Sequence, residues 1–164
     1  GIDSFKIEGR MKTALYVATV ARTYRKAIDD YMESEEKYRA NMEYYKREIA
    51  KCTYRQFTTG FYFGKTDSES QIYDSNTYVK NYTYIGTVRE VTPDGCVCFE
   101  QKNKFLVGEK LEAMGFDGTN IECEVQAIYD EEENSMDSAP HPKQKLRVKL
   151  DKELETGIIL RRKE

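Results

Sequence analysis

The sequence has no tryptophan, a single histidine and only three prolines. No apolar run approaches the ~20 residues needed to cross a bilayer, and no signal peptide is visible, so we expect a cytoplasmic protein without a membrane partner. The one histidine, His141, stands between two prolines in an acidic segment. A Ser–His–Asp or Cys–His catalytic arrangement, or a histidine-based metal site, is therefore not expected in these residues.

The four cysteines also lack a motif. Cys52, Cys96, Cys98 and Cys123 form neither a C-x-x-C pair nor a repeated metal-type spacing. Cys96 and Cys98 lie two apart in a predicted strand, so both face the same side of the sheet. We interpret all four as reduced, buried thiols, with a metal or redox pair at Cys96 and Cys98 as the alternative.

The charge is unevenly distributed. The net charge of −3 gives no reason to expect non-specific binding to nucleic acid. Residues 1–28, in contrast, hold six cations against two anions, and they form either a solvated helix face or a phosphate-binding surface. A second basic group, Lys145, Arg147 and Lys149, alternates along one face of a predicted strand.

Hydrophobic periodicity predicts a helical arm near the start of the chain. Residues 4–7 are predicted to form a short buried strand that leads into Glu8-Gly9-Arg10. Ser34 can cap a helix, so we expect helices over about 12–33 and 36–51, with one long helix as the alternative. Apolar residues at steps of three and four predict that one face of the first helix is buried. We number this first helix α1 and call its apolar face the α1 stripe; the stripe comprises Ala14, Val17, Ala21, Tyr24, Ile28 and Tyr31.

From Tyr82 onward the apolar period changes to about two. A strong turn signal at 92–95 separates two predicted strands, and six or so short strands at this spacing predict a small antiparallel β-barrel. The fold class is therefore α+β. We divide the chain into a helical arm over 1–64, a linker over 65–81 and a β-barrel domain over 82–164.

Glu8-Gly9-Arg10 is the candidate catalytic segment. A buried strand that ends in these residues and leads into an amphipathic helix is typical of one β/α unit of a parallel barrel, where groups after the strand point into the active site. Arg10 could hold a carboxylate or phosphate through two donors, and Glu8 could act as a base or orient Arg10. The alternative is a structural ion pair of Glu8 with Arg10 or Lys12.

Several motifs resemble one family. The stretches GIDSFKIEGRMK, YVATVARTYRKAID and TTGFYFG resemble the C-terminal part of the collagenase-like peptidase family U32. The later QKNKF, GEKLE and terminal GIILRR are similar to its C-terminal barrel domain. The resemblance implies that residues 1–10 are the last strand and loop of an eight-fold β/α barrel of the TIM type, and that the helix from Thr13 is its last helix. The remainder would be an arm and a β-barrel similar to the second domain of translation elongation factors.

The resemblance also implies a function. The family is labelled peptidase without an agreed mechanism, and several relatives serve RNA hydroxylation, including prephenate-dependent formation of 5-hydroxyuridine at the tRNA wobble position. Others serve hydroxylation of ubiquinone precursors. By its overall shape the intact protein is nearest the tRNA-modifying group. The cysteines that hold an iron–sulfur cluster in some relatives lie upstream of this region, so we expect no cofactor here.

Three hypotheses follow from these observations. In the first, the chain is a non-catalytic, C-terminal module that positions tRNA for a longer protein. In the second, it is an exosite of a genuine collagenase-like peptidase. In the third, it is an interaction module whose apolar arm pairs with a second copy or folds back on its own β-barrel. The expected partners are an upstream β/α barrel, tRNA and a second copy. Glu8 and Arg10 would be catalytic only in the intact protein. The predicted nucleic-acid contacts are Lys12, Arg22, Lys145, Arg147 and Lys149.

Overall fold

The computed structural model describes residues 3–52, 59–67 and 80–164, and it shows a helical arm followed by an antiparallel sheet. The α+β class is thereby confirmed. The helices are α1 (Ala14–Glu33), α2 (Glu35–Ala40) and α3 (Met42–Ile49). The strands are β1 (Tyr82–Thr87), β2 (Glu90–Val91), β3 (Val97–Glu100), β4 (Phe105–Leu106), β5 (Lys110–Met114), β6 (Asn120–Tyr129), β7 (Ser135–Met136), β8 (Ser138–Ala139), β9 (Lys145–Leu150) and β10 (Ile159–Lys163).

Capping side chains set the ends of the helices. Ser34 accepts a hydrogen bond from the backbone amide of Lys37 at 3.1 Å, which satisfies one of the free amides at the start of α2 and confirms the predicted boundary. The predicted second helix over 36–51 is instead divided at Asn41. The Asn41 side chain donates to Asp30 Oδ2 at 3.0 Å, so the break is tied to α1.

The α1 stripe is not the buried face of its helix. Val17, Tyr24, Ile28 and Tyr31 are between 37% and 54% exposed. The buried positions are Leu15, Thr19, Val20, Thr23 and Asp30. The predicted burial of the stripe was therefore wrong. A polar face can be buried here because its groups are hydrogen-bonded within the arm: Thr23 Oγ1 donates to the Thr19 carbonyl at 2.7 Å, and Tyr45 Oη donates to Asp30 Oδ2 at 2.6 Å.

The segment before α1 does not form the predicted buried strand. Residues 3–9 have no regular secondary structure, and Phe5 and Ile7 are 59% and 41% exposed. A strand needs a neighbour to satisfy its backbone amides and carbonyls, and none of the described residues provides one. The predicted linker over 65–81 lies mostly outside the described ranges.

The sheet is antiparallel and open. Its strand order is β1-β10-β5-β6-β9-β3-β2, with β7 paired to β6, while β4 and β8 form a separate two-stranded ladder. No ladder joins the two ends of this path among the described strands, so the predicted closed barrel is not observed. The pairing of β1 with β10 is irregular between Tyr84 and Gly86. There β1 passes close to β3, because a Cβ placed on Gly86 would lie 2.4 Å from the Phe99 ring.

A bulge in β6 changes which residues reach the core. Cys123 is buried, as predicted for the thiols, and Val125 is buried too, but Ile121 on the same side of the strand is 38% exposed. The pairing of β6 with β9 shifts between Val125 and Ala127, so that burial passes to Ile128. The core between these strands is a single apolar cluster that includes Ile85, Phe105, Val125, Ile128, Val148 and Leu160. No helix in the described parts of the chain is long and apolar enough to span a membrane.

Candidate nucleic-acid interface

Glu8 and Arg10 lie together on the surface. The Arg10 backbone amide donates to Glu8 Oε1 at 3.1 Å, and Arg10 Nε lies 3.7 Å from the same oxygen. Their side chains are 59% and 84% exposed. Gly9 between them packs on α1, because a Cβ at this position would lie 2.5 Å from Val17 Cγ2. The local geometry is that of an exposed ion pair beside a tight turn, and a catalytic role in a longer protein stays a prediction.

Lys12 and Arg22, the predicted contacts on the arm, have different environments. Lys12 is exposed, with its ammonium 5.3 Å from the centre of the Tyr16 ring. The Arg22 side chain is only 10% exposed and faces the sheet. Its Nη1 donates to the carbonyls of Gly115 and Thr119 at 2.9 and 3.0 Å. The geometry thus gives Arg22 protein partners, while an RNA contact at this residue stays a prediction.

Arg22 belongs to a charge network that joins the arm to the sheet. Glu48 on α3 accepts hydrogen bonds at 2.7 Å from Arg22 Nη2 and at 2.9 Å from Arg161 Nη2. Arg161 on β10 is fully buried and also donates to Glu112 Oε1 at 2.6 Å. Lys51 bridges Glu48 and Glu112 at 2.7 and 3.0 Å. Three cations therefore share two carboxylates at the junction.

The network shifts the pKa of its central carboxylate. Burial alone would raise the pKa of Glu48, but the hydrogen bonds from Lys51 and Arg161 outweigh it and hold the pKa below its ordinary value. The Arg161 guanidinium and the Lys51 ammonium also lie 5.1 and 5.3 Å from the centre of the Tyr82 ring. Sequence patterns gave no sign of this network, because its members come from four distant segments.

The basic residues of β9 alternate with buried neighbours as predicted, but two of them are engaged within the protein. Arg147 pairs with Glu133, lies 3.1 Å from Asp94 Oδ2, and stacks 4.4 Å from the Tyr129 ring centre. Lys149 donates to the Asp94 carbonyl at 2.6 Å. These partners come from two turns flanking the strand, so nucleic-acid contacts by Arg147 and Lys149 stay predictions.

The ion pair of Lys145 is more exposed to solvent than the internal contacts of Arg147 and Lys149. Its ammonium lies 3.3 Å from Glu131, and the two side chains are 72% and 65% exposed. Lys145 lines a cleft of about 380 Å³ on the sheet, together with Tyr84, Arg89 and Lys102. Arg89 and Lys102 are not among the candidates that the sequence indicates. Only strand pairing brings the ends of β1, β3 and β9 together, and no spacing in the sequence indicates it.

A larger cleft of about 500 Å³ lies between α1 and the turn at 115–117. Four of its charged residues are paired within the helix: Arg25 with Asp29, and Lys26 with Asp30 at 3.3 Å. Of the other two, Arg22 pairs with Glu48 on α3 and Asp117 lies in the turn. The exposed ring of Phe116 stands at this cleft. The mixture of both signs of charge favours no single class of ligand.

The thiols are buried or half-buried, and all four are free. Burial raises the pKa of each, in Cys123 to about 12. A thiol with a raised pKa is a poor nucleophile near neutral pH. No group of three or more histidine, cysteine or acidic residues in the described ranges is arranged to hold a metal ion.

Two family profiles match the chain. The profile of the peptidase family U32 C-terminal domain matches residues 80–161, which is half of the chain, and the profile of peptidase family U32 matches residues 1–72. The chain belongs to peptidase family U32.

Two relatives of the chain are named for different activities. The chain is 36% identical over 163 residues to tRNA hydroxylation protein P1 of Bacillus subtilis, covering 99% of this chain and 38% of that protein. It is 48% identical over 61 residues to an uncharacterized protease of Methanocaldococcus jannaschii, covering 37% of this chain and 14% of that protein. The chain thus spans well under half the length of these relatives.

A solved structure is also similar. It is the C-terminal domain of a U32 peptidase from Geobacillus thermoleovorans, 28% identical in sequence with a TM-score of 0.45. The similarity covers 49% of this chain and 99% of that one.

Proposed function

We propose that this chain is a non-catalytic, substrate-positioning part of a U32 protein that serves hydroxylation of tRNA uridine. One observation carries the proposal: the relative that aligns with 99% of the chain is named a tRNA hydroxylation protein. Because the chain spans 38% of that relative, the chemistry is assigned to the remaining part of the longer protein. Glu8 and Arg10 would take part only in that context.

The absence of a catalytic pair in the described residues supports a positioning role. Nucleophilic catalysis needs a nucleophile with a base in hydrogen-bond reach. His141 is exposed, the thiols have raised pKa values, and the buried carboxylate Glu48 is held by three cations. Exposed cations at the sheet surface, in contrast, are the groups that bind and orient a phosphate backbone.

Salt-dependent tRNA binding tests the proposal. We expect the chain to bind an unmodified tRNA transcript at low ionic strength, with an affinity that falls steeply as salt displaces phosphate contacts. A fluorescence anisotropy titration at several KCl concentrations measures both quantities. Absence of binding at about 50 mM KCl would contradict a positioning role for this part of the protein.

The exposed α1 stripe supports a second part of the proposal, namely that this face of the helix binds another domain or chain. Val17, Tyr24 and Ile28 are 41%, 45% and 37% exposed. Full burial of an exposed side chain of this size contributes about 1.5–3 kcal/mol, so covering the part of each that is still exposed would stabilise a contact by roughly 1 kcal/mol each. We assign the stripe to the upstream β/α barrel of the longer protein. Sedimentation of the 164-residue chain and of the longer protein tests this: the chain alone should self-associate through the stripe, and V17D should abolish that association. Self-association of the longer protein that V17D also abolishes would instead assign the stripe to a dimer.

The alternative function is a peptidase with this chain as an exosite. The named protease among the relatives favours it, although that alignment covers only 37% of the chain. Cleavage of gelatin or casein by the longer protein, lost on a substitution in the pocket of its β/α barrel, would support this alternative. No cleavage is expected from the proposed function.

A further inference from the structure

The basic residues of the sheet fall into two structural groups. Arg147 is 22% exposed and held by two carboxylates and an aromatic ring. Lys149 is fixed by a backbone carbonyl. An RNA phosphate that contacts these cations would compete with their internal partners. Cations with fewer internal partners are therefore the better candidates for phosphate contacts on the sheet.

Such cations surround the cleft of about 380 Å³ at the ends of β1, β3 and β9. Arg89 has no ion-pair partner among the described residues, and its exposed side chain lines the cleft. Lys145 lines it too, and its pair with Glu131 joins two largely exposed groups, so that pair contributes little and exchanges readily with solvent. Lys102 stands at the same cleft, paired with Glu100.

Two carboxylates, Glu90 and Glu100, also line the cleft. Glu100 is neutralised by Lys102, and the pKa of Glu100 is held below its ordinary value, first by that pair and further by Lys143 and Arg89. The lining thus holds three cations and two anions. Adding the nearby Lys143 and also Glu131, which pairs with Lys145, leaves the same local excess of one positive charge, in a chain whose net charge is −3.

Local packing fixes one wall of the cleft. The backbone of β1 is held against the turn after β3, where the Lys102 amide donates to the Ile85 carbonyl at 2.8 Å and Asn103 Nδ2 donates to the Tyr84 carbonyl at 2.7 Å. The Tyr84 hydroxyl is within 2.8 Å of Thr87 Oγ1. An aromatic ring is thereby placed among cations, the combination that binds single-stranded nucleic acid by stacking and phosphate contact.

We propose that this cleft binds an unpaired segment of RNA, with Arg89 and Lys145 contacting phosphates and Tyr84 stacking on a base. The inference rests on the proposed function, since it names where the tRNA would be held. It retains Lys145 from the contacts predicted by the sequence and adds Arg89 and Tyr84, which the sequence did not single out. The volume is within the range of about 300–1,000 Å³ that is usual for small-ligand sites, enough for one nucleotide rather than a duplex.

Titration of an unmodified tRNA transcript against matched variants tests the cleft. We expect R89A/K145A to weaken binding about tenfold at 0.1 M KCl and to reduce the slope of log affinity against log salt by about 1.5. K110A/K152A removes the same charge from lysines that pair with Glu122 and Asp151, and it should leave affinity within about twofold of wild type. R89K/K145R retains the charge and should retain binding. Y84A should weaken binding about tenfold, while Y84F should not.

The outcomes separate the cleft from the proposed function. Unchanged affinity in R89A/K145A, or equal losses in R89A/K145A and K110A/K152A, would overturn the proposal that the cleft binds RNA. Either result would leave tRNA binding by the chain in place. Absence of tRNA binding by the wild-type chain would overturn the proposed function itself. Thermal unfolding of each variant, expected to match wild type since these side chains are exposed or half-buried, shows that losses do not arise from misfolding.

Discussion

Removing the charge of Glu48 should separate the helical arm from the sheet. The side chain is 3% exposed and accepts hydrogen bonds from Arg22 at 2.7 Å and Arg161 at 2.9 Å. The variant E48Q keeps the shape of the side chain but leaves three cations with only Glu112 as a charged partner. Because Arg161 is fully buried, its charge cannot be solvated without opening the junction.

The expected loss is large for a single substitution. Removing one partner of a buried ion pair costs about 3–5 kcal/mol, and we expect E48Q to lower the free energy of unfolding by that amount at pH 7. Urea unfolding followed by circular dichroism measures it. The control is E43Q on the same helix, where the pair with Lys46 is 75% and 65% exposed, and the expected loss is under about 0.5 kcal/mol.

The difference between wild type and E48Q should depend on pH. The pKa of Glu48 is lower in the folded chain than the ordinary value of about 4.3, so its stabilisation is complete above that pH and is lost as pH falls through the folded value. The difference between the two unfolding free energies should therefore begin to decrease as the pH falls below about 4.3. An E48Q chain within 0.5 kcal/mol of wild type at pH 7, or a difference that persists unchanged to pH 2, would refute this account of the junction.

Three further predictions concern the sheet and one of its turns. G86A should destabilise the chain by about 1–3 kcal/mol in urea unfolding, because the added methyl would overlap the Phe99 ring and the close Glu100 carbonyl; an unchanged midpoint would contradict the close passage of β1 over β3. Asp94 should titrate near pH 2 in a carboxyl-carbon NMR experiment, because the hydrogen bonds from Thr92 and Cys96 lower its pKa to about 2, and a midpoint near 4 would show that the turn is not formed. Cys123 should resist thiol reagents at pH 8 until denaturant is added, because burial raises its pKa to about 12, and rapid native reaction would contradict its place in the core.

The sequence predicted the ends of helices and turns where interactions between neighbouring residues determine them. Ser34 was recognisable as a cap because its hydroxyl and the acidic residues after it suit a helix start. The turn before β3 was recognisable from Pro93 and Gly95, and the Gly95 amide does donate to the Thr92 carbonyl at 2.8 Å. These features depend on residues within a few positions of one another.

Features that depend on tertiary contacts could not be predicted from the sequence. The α1 stripe has the apolar periodicity of a buried face, yet the chain buries Thr19, Thr23 and Asp30 instead, because partners on α3 satisfy Asp30. The bulge in β6 shifts burial to Ile128 with no local signal. The cleft at Arg89 and Lys145 joins residues 56 positions apart, which only the pairing of β3 with β9 brings close.

Mass spectrometry of tRNA nucleosides tests the central claim most directly. Cells that lack the protein containing this chain should lose 5-hydroxyuridine and its derivatives, and a wild-type copy should restore them. A copy carrying R89A/K145A should restore them only in part. Unchanged hydroxylated uridine in the deletion strain would contradict the claim that this U32 protein serves tRNA hydroxylation.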